Sequence, residues 1–238
     1  MTYLHHRQNA AKAIADGSSV EWFRRVTVIS FAVLMIAAAL SFATAGRAAD
    51  EAPQAGPPSE ASGHDLYHRG YYEEALAEWT RAVEEQNDPG AAFRLGEEYF
   101  DAKVVERDVE KAVTYLRMGA DGGDPRAQQD LATMYDNGWG VPEDKAMAAS
   151  LYLAAAQQGN AVAQYNVATM FETGTGLEQD LEKAYMYYLL AVEGGFPHFA
   201  SVELEKISRK MTAQQIKDAT VMARQFEPEA EMDDEKGG

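Results

Sequence analysis

A chain that repeats itself every 36 residues does not fold around one central core; it stacks like units, each completing the apolar face of its neighbour. Shifting this sequence against itself by 36 places Leu95 on Leu131 and Val167, and Tyr99 on Tyr135 and Phe171, with no gap. The same shift superposes Ala91, Ala127 and Ala163; Asp88, Asp124 and Asn160; Asp108, Asp144 and Asp180; and Trp79, Tyr115, Leu151 and Tyr187. Small, capping and aromatic positions therefore recur together.

Two helices fit each period, each with its own start signal. Asp88-Pro89 and Asp124-Pro125 set a side-chain acceptor at the N-cap and a proline at the first helical position, where its missing N–H costs nothing. Asn160 supplies the same cap without proline, and Ala163, Val167 and Phe171 follow along one helical face. The partner helix starts at Asp108, Asp144 or Asp180. It carries Ala112, Tyr115, Leu116, Gly119 and Ala120 in one unit and Ala148, Leu151, Tyr152, Ala155 and Ala156 in the next, small residues opposite large ones that let helices approach closely. Gly138-Trp139-Gly140 and Gly174-Thr175-Gly176 provide left-handed residues between the helices, a turn rather than a phosphate cradle. In the first unit Ala102 and Val104 replace those glycines, so a different turn is expected before Asp108.

Laid out in this way, the residues resemble Sel1-like repeats, 36-residue relatives of the tetratricopeptide repeat. The family pattern runs A-x-x-x-L-G-x-x-Y-x-x-G-x-G-V, then D, then K-A-x-x-W-Y-x-x-A-A-x-x-G. It is matched by AQQDLATMYDNGWG from Ala127, followed by Val141 to Asp144, and by AQYNVATMFETGTGLEQD from Ala163. The resemblance covers about residues 65–228, with full units at 88–123, 124–159 and 160–195. DLYHRGYYEEALAEWTRAVEE resembles the family's truncated opening half-repeat and MTAQQIKDATVMARQFEP its closing helix. The helix between them and the last unit, from Pro197 to Met211, starts after Phe196 rather than at a cap. The implied fold is all-α, an α-solenoid of antiparallel helix pairs with about three full Sel1-like repeats, a flanking half-repeat and a capping helix.

The ends read differently. Residues 1–25 hold His5, His6, Arg7, Lys12, Arg24 and Arg25 against Asp16 and Glu21, and residues 26–45 carry no charge. A basic flank before an apolar stretch makes residues 1–45 a signal peptide or a membrane anchor. Ala43-Thr44-Ala45 and Gly46-Arg47-Ala48 have the small-x-small form of a cleavage site, whereas Thr27 weakens a twin-arginine reading of Arg24-Arg25. Either way the basic flank stays inside and the rest is exported, so the expected location is periplasmic or secreted after cleavage, or membrane-anchored with the repeats extracytoplasmic. Residues 46–64, with Pro53, Pro57 and Pro58, are expected to be a disordered linker, residues 65–226 the repeat domain, and residues 227–238 an acidic disordered tail.

Composition closes several chemistries. There is no cysteine, hence no disulfide, no thiolate metal site and no cysteine nucleophile. Lys and Arg total 21 against 38 Asp and Glu, a net charge of −17 that repels nucleic-acid phosphates. His64 and His68 share a helical spacing and His198 has Glu203 and Glu205 downstream, but neither set makes a metal or catalytic site, and adjacent pairs such as Glu73-Glu74, Glu84-Glu85 and Glu97-Glu98 point apart on a helix. No cofactor, metal or catalytic residue is expected.

In the related tetratricopeptide architecture the first helix of each unit lines the concave surface and its non-core positions contact the partner. Carried over by register, the resemblance implies a partner-binding set of Phe93, Glu97, Arg126, Gln129, Thr133, Asp136, Tyr165, Thr169 and Glu172. Phe93 and Tyr165 lie off the apolar stripe and are the leading pair. The expected function is a non-enzymatic scaffold or adaptor in the cell envelope that binds a peptide or helix of another protein. The alternatives are an assembly factor of an envelope complex, and a β-lactam hydrolase of the kind some relatives resemble; the latter lacks both its disulfides and any Ser-x-x-Lys motif here.

Overall fold

The computed structural model of the chain describes residues 57–228. The expected signal or anchor segment, linker residues 46–56 and tail residues 229–238 lie outside the described residues. Ten α-helices and no strand are found among those described: α1 Glu60–His68, α2 Tyr72–Gln86, α3 Pro89–Asp101, α4 Val109–Asp121, α5 Pro125–Asn137, α6 Lys145–Gln157, α7 Ala161–Thr173, α8 Leu181–Glu193, α9 Pro197–Ser208 and α10 Ala213–Arg224. Each helix packs on its sequence neighbour from α1 to α9, while α10 folds back onto α8. Of helices further apart, α1 packs on α3 and α3 on α5, first helix on first helix. This is the expected all-α solenoid of helix pairs.

The helices begin where their caps are. Asp88, Asp124 and Asn160 accept from the backbone N–H of Ala91, Ala127 and Ala163 at 2.9, 3.1 and 2.9 Å. Asp108, Asp144 and Asp180 do the same for Lys111, Met147 and Lys183 at 3.0, 2.9 and 3.0 Å. Each such bond satisfies a donor that the first helical turn leaves without an intrahelical partner. Thr212 and Gln215 close a reciprocal capping box on α10, and α9 starts at Phe196 with no side-chain cap.

The turns between paired helices share one closing bond. Asp108, Asp144 and Asp180 each donate a backbone N–H at 2.9 Å to the carbonyl of Tyr99, Tyr135 and Phe171. Gly138 and Gly174 end their helices at φ 70° and 72°. The loss of two glycines in the first unit predicts a different turn, and the turn differs at one of the two places: Ala102 takes the left-handed conformation of Gly138 and Gly174, φ 57° and ψ 39°, whereas Val104 does not share the positive φ of Gly140 and Gly176, 71° and 73°. The shared closing bond imposes that conformation on alanine despite its Cβ. Gly176 is required for a second reason: a Cβ there would collide with the carbonyl oxygen of Lys145.

The opening unit starts earlier than the sequence suggests. α1 begins at Glu60, inside the stretch 46–64 expected to be linker, with a Ser59–Ser62 capping box. Long-range bonds hold it, among them Glu60 N–H to Asp88 Oδ2 at 2.9 Å, Trp79 Nε1–H to the Glu60 carbonyl at 3.0 Å, and Gln86 Nε2–H to the Pro58 carbonyl at 2.7 Å. Trp79, 2% exposed, is the largest fully buried side chain. Stacked rings repeat along the array, Tyr99 on Tyr115 at 5.8 Å and Phe171 on Tyr187 at 6.0 Å, as the column of aromatic positions implies.

Candidate functional site

The first helices α3, α5 and α7 carry the nine residues assigned to partner binding. None is freely exposed: Phe93 is buried and the other eight are half-buried. Phe93, one of the leading pair, is 6% exposed and belongs to the core with Val113, Leu116 and Leu131. The guanidinium carbons of Arg126 and Arg94 lie 4.6 and 5.4 Å from its ring centre. Lying off the stripe of its own helix turns Phe93 toward the next unit, not toward solvent, because α5 packs directly on α3.

Arg126 and Arg94 are held in turn from the opening unit. Arg126 donates to both carboxylate oxygens of Glu60 at 2.8 and 2.9 Å and also pairs with Asp124. Arg94 donates to Glu60 at 2.9 Å and to Glu97 at 3.1 Å. Burial pulls the Glu60 carboxyl upward, but the hydrogen bonds and charges of Arg126 and Arg94 outweigh it, leaving the group below the ordinary carboxylate range. This end of the face is occupied by the chain's own ion network.

The remaining positions are mostly engaged as well. Gln129 donates to Asp130 at 2.9 Å, and Lys145 donates to Asp136. Thr133 and Thr169 share hydrogen bonds with the hydroxyls of Tyr152 and Tyr188 at 2.9 and 3.0 Å, and Glu172 accepts from Tyr188 at 3.0 Å and from Lys210 at 2.6 Å. Burial pushes the Tyr152 phenol up to about 12. Tyr165 joins an aromatic cluster, 5.4 Å from Phe196 and 6.4 Å from Phe199, whose own ring is 60% exposed.

Between α3 and α5 the face opens. Gly96, Glu97, Phe100 and Asp101 of α3, Asp130, Thr133 and Met134 of α5, Leu116 of α4 and Trp139 line a hollow of about 260 Å³. Its origin is one interruption of the repeat. The residues 36 and 72 beyond Leu116 are Tyr152 and Tyr188, whose phenols reach Thr133 and Thr169. The first unit places Leu116 and Glu97 at those paired positions, so neither the phenol nor its hydroxyl bond is there. Trp139 stacks on Phe100 at 6.0 Å and remains 48% exposed.

Glu97 and Thr133 were assigned to the face from the sequence; Phe100, Asp101, Asp130 and Trp139 were missed. The visible signal was Leu116, which breaks a column of tyrosines. Burial, then the charges of Glu97 and Asp101, push the Asp130 carboxyl up to about 7, and the hydrogen bond from Gln129 only partly offsets this. Glu97 has Arg94 as an ionic partner at 3.1 Å and Asp101 has Lys103 at 3.0 Å.

The histidine pair read from the sequence meets across one turn of α1. His64 and His68 meet through Nε2 at 2.9 Å with edge-on rings, and burial lowers the His64 pKa. Among the described residues no group of three or more His, Asp or Glu side chains has the arrangement to hold a metal ion. Also among them, no helix is long and apolar enough to cross a membrane.

Helix pairs in register, capped at corresponding positions in the three full units and packed first helix on first helix from α1 to α5, define an α-solenoid. The model of the Sel1 repeat matches three consecutive stretches, residues 89–124, 125–160 and 161–196. The chain belongs to the Sel1 repeat family. It is similar to the crystal structure of a Sel1 repeat protein from Oxalobacter formigenes, with 34% identity and a TM-score of 0.51 over 55% of this chain and 97% of that one. It is also similar to c5321, a protective antigen of uropathogenic Escherichia coli strains displaying an SLR fold, with 26% identity and a TM-score of 0.62. That match covers 70% of this chain but only 37% of c5321, so this chain spans just over a third of that protein's length. Comparison with curated proteins finds no match. Sel1 repeat proteins are in general scaffolds for protein–protein interaction, and solenoids of this kind are generally non-catalytic.

Proposed function

We propose that this chain is an exported scaffold that binds a segment of another protein along its first-helix face and catalyses no reaction. The observation that carries the reading is the hollow between α3 and α5, an open aromatic and acidic depression on a face otherwise closed by internal hydrogen bonds. The direct packing of α1 on α3 and α3 on α5 supports it, since helices that approach more closely on one side curve the stack toward that side. Recognition of an extended segment or a helix suits a face of this kind.

Site-specific photo-crosslinking in cells tests the face. A photoreactive residue at Gln129 or Thr169 is expected to capture a discrete partner, while one at Glu110 or Thr114, exposed on α4, captures none. Equal capture from both sides, or capture from α4 alone, overturns the assignment. Export rests on the basic flank and the uncharged residues 26–45. Intact mass of the native protein is expected to show loss of residues 1–45 or 1–48, or a full-length chain recovered with membranes; a full-length chain in the cytosol refutes export. The purified protein is expected to turn over no chromogenic β-lactam, and turnover surviving mock-purified controls reinstates the hydrolase alternative.

A further inference from the structure

We propose that the hollow between α3 and α5 is the seat of a single basic side chain, arginine or lysine, projecting from the bound segment. The inference rests on the scaffold reading and names the chemistry of its partner. Three independent features converge on it. The first is space: Leu116 stands where the next two units place a tyrosine, so the volume filled there by a phenol is open here.

The second is the lining. Glu97, Asp101 and Asp130 supply three carboxylates, and the only ion-pair partners they have among the described residues are Arg94, which Glu60 also holds, and Lys103 at the surface. Asp130 has a neutral partner, Gln129, and no cationic one among the described residues. A carboxylate gathered with two others in a half-buried site is relieved when a cation arrives, and hydrogen bonds between ions are the stronger kind.

The third is the aromatic wall. Trp139, stacked on Phe100 and half exposed, offers its ring system at the rim. A guanidinium already rests on Phe100: the Arg107 guanidinium carbon lies 5.0 Å from that ring centre, and Arg107, Phe100 and Trp139 together line a second hollow. Ring faces beside carboxylates recognise arginine and lysine rather than neutral or acidic side chains. The net charge of −17 favours a basic partner in the encounter as well.

The test titrates the full chain with Ac-Gly-Arg-Gly-NH2, Ac-Gly-Lys-Gly-NH2 and the neutral citrulline analogue, following the Trp139 indole N–H by NMR. Trp139→Phe assigns that resonance. Both basic peptides are expected to shift it, with the citrulline peptide at least about tenfold weaker. Glu97→Thr/Leu116→Tyr gives the first unit the pair that the next two units carry, so it is expected to fold normally and to weaken the basic peptides about tenfold or more. No shift with the basic peptides, equal shifts with citrulline, undiminished binding to the folded double variant, or shifts confined to the region of Phe199 each overturn the proposal. A partner captured at Thr169 while the peptides fail at Trp139 removes the basic side chain and leaves the scaffold standing. Peptides that bind while no partner is captured do the reverse.

Discussion

Ala102 holds a left-handed backbone that Gly138 and Gly174 hold in the following units, and its Cβ makes that conformation costlier by roughly 1 kcal/mol. Ala102→Gly is therefore expected to raise unfolding stability by about that amount in a urea titration; a loss would show that the left-handed turn is not the state the first unit adopts. Asp130 is a second strained residue, this time electrostatically. Its carboxyl, raised from 3.8 to about 7, stays protonated in the folded chain over a pH range where the unfolded chain has released its proton. Folding stability therefore falls as pH rises from about 4 to about 7, and the loss is complete above that window. Asp130→Asn is expected to match the parent near pH 4 and to exceed it by roughly 1–2 kcal/mol at pH 8, allowing for solvent screening at a half-buried group. Urea midpoints at the two pH values check this, and a gap that does not widen with pH refutes the displaced carboxyl.

At the scale of elements, α1 is a short helix kept in place by partners far along the chain. Glu60 has a lowered pKa, so its contribution is present above the ordinary carboxyl value of 4.5 and is lost as pH falls through the folded one. Glu60→Gln is expected to cost about 1 kcal/mol at neutral pH and to speed hydrogen exchange in α1 and α2 while α7 and α8 keep their protection. Uniform loss across all ten helices would contradict a local clamp. The same element marks where sequence reading stops. Caps such as Asp108 on Lys111 were legible because donor and acceptor are three residues apart and need nothing else. The start of α1 was not, because Pro58 and Glu60 are fixed by Gln86 and Trp79, which no local pattern links to them. Phe93 failed for a related reason: register put it off its own stripe, but what covers it is Arg126 of the next unit. Two of the nine residues lining the hollow were readable, since Glu97 and Thr133 follow from register, whereas Trp139 read only as part of a turn.

The whole molecule is a row of units that depend on their neighbours. α10 leaves its sequence neighbour α9 and packs on α8, burying Ala219 and Ala223 in the manner of a terminal cap. Removal of residues 197–228 is expected to uncover α8 and lower the melting temperature, with exchange protection lost first in α7 and α8 and last in α3 and α4. Simultaneous loss everywhere would mean the row unfolds as one block.

The grip of Glu60 on Arg94 and Arg126 also limits how such an array is lengthened or shortened by recombination. If the 36 residues from Asp88 to Gly123 were cut out, Asp124 would inherit the place of Asp88 and the caps would survive. Asp130 and Val162 would then stand where the two arginines stood, one repelling Glu60 and the other offering it no charge. The opening half-unit is thus matched to both of the units that follow it, and units exchanged at that junction remain compatible only when they restore an arginine at each of the two places.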